Sequence, residues 1–528
     1  MVRRYAASAA VLGALALALL FVPSVSSSTG PATSGQGGSW SLPAGITPPA
    51  APGTPGLTVG GVKCGPGIRQ VPWSAYAPEC VPAWHGQNGG ATSPGVSRST
   101  ITITYRLFSS RQLQVIYSMI PSSMIGTTTE QINALRSEIK VFNKNFELYG
   151  RQVVLKPFQG QGDFLQEMTG GGMAQAEADA ATAQDLGAFA DMSMSAGSEY
   201  YDRSLMSKHI ITFPLSFVQT SEATRQEQPY AYTQGPDCTK LNTAIAALAG
   251  RTMVGFKATF AGDTSLQSKV RSFGLVNNID PVEVSCADGL ISDLATYGIH
   301  LANRSQYNYS ASSAIEQFTT IVERMKELGV TTIIDDTADP ITPGLLMSIA
   351  SSIGYHPEWI LVSTDVGGFE NAELSLRAFD REAPAEMTHM LAVGLVSEPA
   401  TSQEDYKVVQ MAATGQKPLP SYTLGWTYAP VVLFFSALQQ AGPDLTPQTF
   451  DRGFHSLMDS KPNGMFGQWT FGNDLADPAS TFQIVHWDPT AISNLDGARG
   501  ALVACNRGQH YSYQRAATQI PHDMLDCG

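Results

Sequence analysis

Thr100-Ile101-Thr102-Ile103-Thr104-Tyr105-Arg106-Leu107 opens the stretch whose reading decides the fold. Ile101, Ile103, Tyr105 and Leu107 alternate with polar residues, the period of a strand. Further on, Thr127-x-x-Glu130 forms a capping-box pattern. Ile132, Leu135, Ile139, Phe142 and Phe146 then follow at helical spacing, one apolar face over four turns. Gly150 ends this unit, and Val153-Val154-Leu155 begins a second strand. A strand, a one-sided helix and a strand in this order predict a βαβ crossover in a parallel sheet.

The alternation continues outward from this unit. Helices are predicted over Ala174–Leu186 and Glu199–Lys208, each followed by a strand, near Phe189–Met192 and His209–Phe213. Ile299–Ala302 reads as a strand. Ser313–Leu328 is an amphipathic helix with Ile315, Phe318, Val322, Met325 and Leu328 on one side, closed by Gly329. Thr331–Ile334 and Trp359–Val362 read as strands around a helix over Leu345–Ile353. The expected fold class is α/β, doubly wound, with enough parallel strands for two sheets.

The N-terminus carries Arg3 and Arg4, an apolar run from Ala6 to Val22, and small residues over Ser24–Ser28. This is the pattern of a secretory signal peptide. The alternative is a retained anchor, because the run approaches the ~20 residues that span a bilayer. No cysteine follows closely enough for lipid attachment. Cys64, Cys80, Cys238, Cys286, Cys505 and Cys527 are even in number and widely spaced, with no C-x-x-C pair. Disulfides in an oxidising compartment follow, and sequential pairing is the simplest of the possible connectivities. A net charge of −13 argues against nucleic acid or an anionic membrane surface as partner.

From Ile101 to about Asp488 the order of elements resembles type I periplasmic binding proteins, above all the branched-chain amino-acid class that serves ABC importers. Four stretches carry the resemblance: Phe142-Asn143-Lys144 through Tyr149-Gly150-Arg151-Gln152-Val153; Ile210-Ile211-Thr212-Phe213-Pro214; Tyr422 to Gly442, with Trp426-Thr427-Tyr428-Ala429 and Ala437 to Gly442; and Gly467 to Asp474. The resemblance implies two lobes joined by three crossings, near Tyr230–Gly235, Ser363–Phe369 and Phe466–Asp474, with ligand in the cleft between them. The expected division is a signal peptide (1–28), a flexible Gly/Pro/Ser linker (29–60) and a Cys-bracketed extension (61–97). Lobe I then takes 98–232 and 366–465, lobe II takes 233–365 and 466–490, and a C-terminal extension takes 491–528. The Cys64–Cys80 segment and Asn88-Gly89-Gly90-Ala91-Thr92 resemble an extension found in one bacterial branch of the family. Its best-known members lack it, as they lack a counterpart of the last forty residues.

The resemblance also implies where a ligand is held. In the family a serine turn and a small polar turn after the next strand grip a carboxylate, and Ser195 and Ser216 are the matching positions. Ser193 lies in the same turn. Backbone N–H groups and hydroxyls at a helix start supply donors cheaply, though serine there also serves as a plain N-cap. In the second lobe the family places an acid after a strand to bind an ammonium, and Asp336, followed by Thr337, stands there. Asp365, with Ser363 and Thr364, lies at the second crossing. Tyr307 and Trp426 are candidates for cleft wall or for core. The family's Tyr-Gly pair early in lobe two has no clear match near Phe273-Gly274.

Other chemistries find little support. Gln159-Gly160-Gln161-Gly162-Asp163 and Gly170-Gly171-Gly172 lack both the third glycine of a dinucleotide fingerprint and the Gly-Lys-Ser/Thr of a P-loop, and read as a flexible loop. The histidines are scattered without H-E-x-x-H, so no metal is expected. No G-x-S-x-G is present. The expectation is therefore a monomeric, non-enzymatic binding protein without cofactor, working with a membrane ABC permease. A ligand sensor of the same fold and a secreted hydrolase are the alternatives.

Overall fold

The computed structural model describes residues 42–107, 126–168, 171–193, 197–214, 219–308, 313–337, 342–362, 372–396, 405–415, 422–461, 465–473 and 477–522, with 109, 111, 114, 475 and 525–527. Met1–Leu42 and Pro43–Gly528 are separate units. The signal segment lies outside the described residues.

A small hairpin comes first: β1 (Gly56–Leu57) pairs antiparallel with β2 (Lys63–Cys64). The first large unit is built on β3 (Thr100–Leu107), which pairs in parallel with β4 (Gln152–Gln159) on one side and β5 (Ala190–Asp191) on the other. The predicted strand over His209–Phe213 contributes only single parallel bridges, Ala190 to Ile211 and Thr212 to Ala231. The helix between β3 and β4 spans Thr128–Asn145, and both halves of the Thr127/Glu130 capping box form. Its apolar face, with Leu135, Phe142 and Phe146, packs with the helices Tyr422–Ala441 and Pro447–His455 into one core. Helices Met173–Asp185 and Glu199–Ser207 cover the opposite face through Ala176, Ala180, Tyr201 and Leu205. Tyr422–Ala441 is apolar on all sides because it is buried on all sides from Tyr428 to Leu438.

The larger sheet has the order β12-β11-β10-β9-β8-β6-β7, with β13 (Tyr511–Ser512) also on β11. β6 (Phe273–Asn278), β7 (Asn303–Tyr307), β8 (Thr332–Asp336), β9 (Glu358–Leu361) and β10 (Met390–Gly394) are parallel to their neighbours. β11 (Thr481–Ile492) returns antiparallel on β10, and β12 (Arg499–Ala504) antiparallel on β11. Side chains alternate between two cores: Leu275, Ile334 and Ile360 face one, Val276, Ile333 and Trp359 the other. This two-sided burial is why β6, β8 and β9 lack a polar alternation.

The three disulfides join Cys64 to Cys80, Cys238 to Cys286 and Cys505 to Cys527, the sequential pairing.

Several expected boundaries move. The strand expected at Ile299–Ala302 is β7, four residues later. Ile299 instead plugs a core after the left-handed turn at Gly298, and β7 reads as polar because it is the sheet's edge. Residues 366–465 do not all belong with the first lobe, since β10 extends the larger sheet beside β9. The expected crossing at Ser363–Phe369 falls outside the described residues. The chain changes core between Val393 and Leu395. The C-terminal extension is no appendage either, because β12 is a full member of that sheet. The linker expected over 29–60 is packed from about residue 43. Thr47 N–H donates to the Gln87 carbonyl at 2.9 Å and Gly53 N–H to that of Cys80 at 2.8 Å. Backbone bonds to the body hold this Pro-rich segment where apolar side chains are few.

The third crossing is a hairpin. Trp469 pairs antiparallel with Ala479, yet Trp469 packs in the first core and Ala479 in the second. The first crossing runs from Tyr232, in the first core, to the helix Cys238–Thr252, in the second.

Candidate functional site

Parallel sheets offer their carboxyl edges to ligands, so the ends of β3, β5, β6 and β8 are where a site is built. At the end of β3, Arg106 is the one charged residue of a strand buried on both faces. Its guanidinium grips Glu167 with two bonds, 3.0 and 2.9 Å, reaches Asp179 at 3.3 Å, and lies 4.1 Å over the Tyr201 ring. Asp179 in turn accepts the N–H groups of Gln161 and Gly162 at 2.8 and 2.9 Å. The glycine loop is thus wrapped on a carboxylate. A Cβ on Gly162 would stand 2.2 Å from Glu167 Oε1, which explains the glycine without any phosphate.

Beside this pair, Asp191 accepts hydrogen bonds from Thr104 Oγ1 (2.6 Å), Tyr201 OH (3.0 Å) and Ser193 N–H (2.8 Å). Burial raises its pKa against those donors. Ser193 Oγ accepts the Arg106 backbone N–H at 2.6 Å, so this predicted ligand serine is engaged inside the fold. Ser198 caps the helix Glu199–Ser207, accepting the Tyr201 N–H, and donates its own hydroxyl to Glu167. The same helix holds Asp202, whose carboxyl is pushed up to about 7 by burial while Thr212 Oγ1 donates to it at 2.6 Å.

In the larger sheet, Asp336 ends β8 directly opposite Asn277 of β6. Arg304 on β7 donates from Nε to Asn277 Oδ1 at 2.9 Å and from Nη1 to Asp288 at 2.5 Å. Burial pushes the Asp336 carboxyl up to about 7, with the Arg304 charge opposing. Asp336 Oδ2, Arg304 Nη2 and the hydroxyl of Thr337 are buried atoms without a hydrogen-bond partner among the described residues. Acceptor and donor atoms left unpaired at a strand end suit a ligand that carries complementary groups.

One electrostatic link connects the two edges. Glu199 stands at the start of its helix after β5, and Asp280 caps the helix Pro281–Thr296 after β6. Glu199 is held above the usual carboxylate range by burial, and the Asp280 charge adds to that rise against Arg203.

Of the other predicted residues, Ser195, Ser216, Ser363, Thr364 and Asp365 lie outside the described residues. Tyr307 is core: it is 2 % exposed and meets Phe318 edge-on at 5.0 Å. Trp426 falls in the helix Tyr422–Ala441. Sequence reasoning missed Arg106, Asn277 and Arg304. A lone charge in a fully buried strand was the available signal for Arg106, whereas Asn277 and Arg304 are marked only by their neighbours in space. Among the described residues, no group of three or more His, Cys, Asp or Glu side chains is arranged to hold a metal ion. No helix there is long and apolar enough to cross a membrane.

No protein-family model matches the chain, and no curated protein matches it in sequence. Solved structures do. A fatty acid ABC transporter substrate-binding protein from Thermomonospora curvata is 14% identical, with 83% of this chain and 98% of that one covered and a TM-score of 0.55. A leucine-, isoleucine-, valine-, threonine- and alanine-binding protein from Brucella ovis, in its closed conformation, is 12% identical over 81% and 98%, at 0.53. A solute-binding protein from R. palustris in complex with benzoate is 10% identical over 77% and 96%, at 0.51. At such identity the likeness is one of fold. The fold is that of type I periplasmic binding proteins.

Proposed function

We propose that this chain, built on the type I periplasmic binding protein fold, is an exported substrate-binding protein. It holds a small polar ligand, an amino acid or a related amide, between its lobes and delivers it to an ABC permease. The observation that carries this reading is the pair of unpaired atoms Asp336 Oδ2 and Thr337 Oγ1 at the carboxyl end of β8, with Arg304 on β7, whose charge acts on Asp336, leaving its Nη2 unpaired as well. A zwitterion or amide brings both an acceptor and a donor, so it can complete this set. Asp336 would take the ammonium or amide N–H through charge-assisted bonds, and Arg304 the carboxylate or carbonyl. Ser195 and Ser216 would meet the ligand from the opposite lobe, with Asp365 at the rim, while Ser193 anchors the turn.

Binding in this arrangement works by hinge closure. Contacts from both lobes favour the closed state, and the chain crossings supply the hinge. The six paired cysteines support export to an oxidising compartment.

A thermal-shift screen tests the reading, with amino acids, amides, urea, benzoate and fatty acids as probes. Ligand at a hundred times its Kd adds about 2.7 kcal/mol of stability. A hit is expected among the amino acids or amides, and Asp336→Asn should abolish it. A panel in which nothing shifts the protein would remove the transport reading. A hit only with benzoate or a fatty acid would replace the ligand class and keep the fold-level role.

A further inference from the structure

The third chain crossing is held from both sides by segments outside the two sheets' strand-helix repeats. The hairpin Phe466–Thr481 is held from one side by the N-terminal extension. Tyr76 OH donates to the Gly467 carbonyl at 2.9 Å and accepts the Phe466 N–H at 2.7 Å. Its ring lies 4.2 Å from Trp469 and 5.8 Å from Phe466. Arg69 adds a bond from Nη2 to the Asp459 carbonyl at 2.7 Å, and the Ala75 carbonyl accepts the Lys461 N–H at 3.2 Å. The extension is fastened in turn to the first lobe. Gln70 Nε2 donates to the Asn145 carbonyl, Gln439 Nε2 donates to that of Glu79, and Cys64–Cys80 closes the segment.

The C-terminal extension holds the other leg. Tyr513 N–H donates to the Ser480 carbonyl at 3.2 Å, and its ring meets Phe482 at 4.9 Å. β13 pairs with β11 through Thr481 and Phe482. The Cys505–Cys527 bridge and the bond from Arg251 Nε to the Ile520 carbonyl fasten this segment to the second lobe. Each leg of one hairpin is thus pinned to a different lobe by a different disulfide-bracketed extension.

We propose that the two extensions form a brace on the third crossing, and that Tyr76 and Tyr513 are positioning residues for lobe closure, acting from outside the cleft. Pinning both legs restricts bending at this crossing. It thereby narrows the range of lobe angles and raises the share of molecules ready to bind. Apparent affinity falls in proportion when that share falls. The proposal rests on the hinge-closure reading above.

Amide hydrogen exchange and small-angle scattering of the ligand-free full chain test it, with Tyr76→Phe removing one hydroxyl and keeping the ring. The Phe466, Thr470 and Ser480 amides should exchange at least tenfold faster than in wild type, with β6 and β8 unchanged, and the scattering curve should report a broader spread of dimensions. Tyr513→Leu should loosen the same hairpin from its other leg. A merely structural role would lower protection evenly through the molecule and leave the spread unchanged. That result, or hairpin exchange within twofold of wild type, overturns the brace. Should Tyr76→Phe fail to fold, Arg69→Lys applies the same measurement to the neighbouring bond. Because these readouts need no ligand, a screen that finds a ligand beside an unchanged hairpin removes the brace alone. A loosened hairpin beside an empty screen removes the transport reading alone.

Discussion

Lys240 and Asp477 form an ion pair between two different chain crossings, Nζ to Oδ1 at 2.7 Å, with the carboxylate side chain fully buried. Lys240 Nζ also donates to the Asp477 and Ala479 carbonyls at 3.0 and 2.8 Å. Asp477 Oδ2 accepts the Asp237 N–H at 3.2 Å, so the first crossing and the hairpin of the third meet on one carboxylate. Burial pushes that carboxyl up to about 7, with Lys240 opposing. Lys240→Met should cost about 3–5 kcal/mol at pH 8, because it strands a buried charge. At pH 5 the carboxyl is protonated and the loss should be smaller. Urea midpoints at the two pH values check this, and equal losses would contradict it.

Arg106 should behave as the keystone of the first carboxyl edge. Arg106→Met leaves Glu167 and Asp179 buried without their cation and should cost about 3–5 kcal/mol in denaturant unfolding. Arg106→Lys should recover less than half of this, since an ammonium cannot make the two parallel bonds to Glu167. Gly162→Ala should fail at the same place, because its Cβ meets Glu167.

Asp202 makes stability depend on pH in a defined direction. Its folded carboxyl sits at about 7 against an ordinary value of 3.8. Between those values the native state keeps a proton that the unfolded chain releases, so this group's contribution falls as pH rises through the window and levels off above about 7. Asp202→Asn keeps an oxygen for the Thr212 hydroxyl and removes the charge. It should raise Tm at pH 8 relative to wild type, with little effect at pH 4. A gain at pH 4 that vanishes at pH 8 would have the wrong sign.

The disulfides should rank by the loops they close. Cys238–Cys286 spans 48 residues and Cys64–Cys80 spans 16. Loop entropy gives about 4 and about 3 kcal/mol respectively. Paired serine variants compared by urea unfolding should keep that order.

The candidate site was only partly legible beforehand. Asp336 and Thr337 could be named because they stand at the end of a strand where the resembled family places an acid. Arg304 and Asn277 could not, because they reach Asp336 only through the pairing of β7 with β6 and of β6 with β8. Ser193 was legible as a turn serine. Its engagement by the Arg106 backbone, 87 residues away, was not.

What the sequence determined by itself is what short-range chemistry decides. The Thr127/Glu130 cap, the apolar face through Phe142 and Phe146, and the order of strands and helices all follow from neighbours along the chain, whereas the folded chain picked the sequential cysteine pairing from among the connectivities left open. Tertiary structure alone decided where the chain changes lobes, that β10 and β12 complete the larger sheet, and that Arg106 serves Glu167 and Asp179. It alone set Tyr76 and Tyr513 on the two legs of one hairpin. These depend on burial and hydrogen bonding between segments tens to hundreds of residues apart, and no local period carries that information.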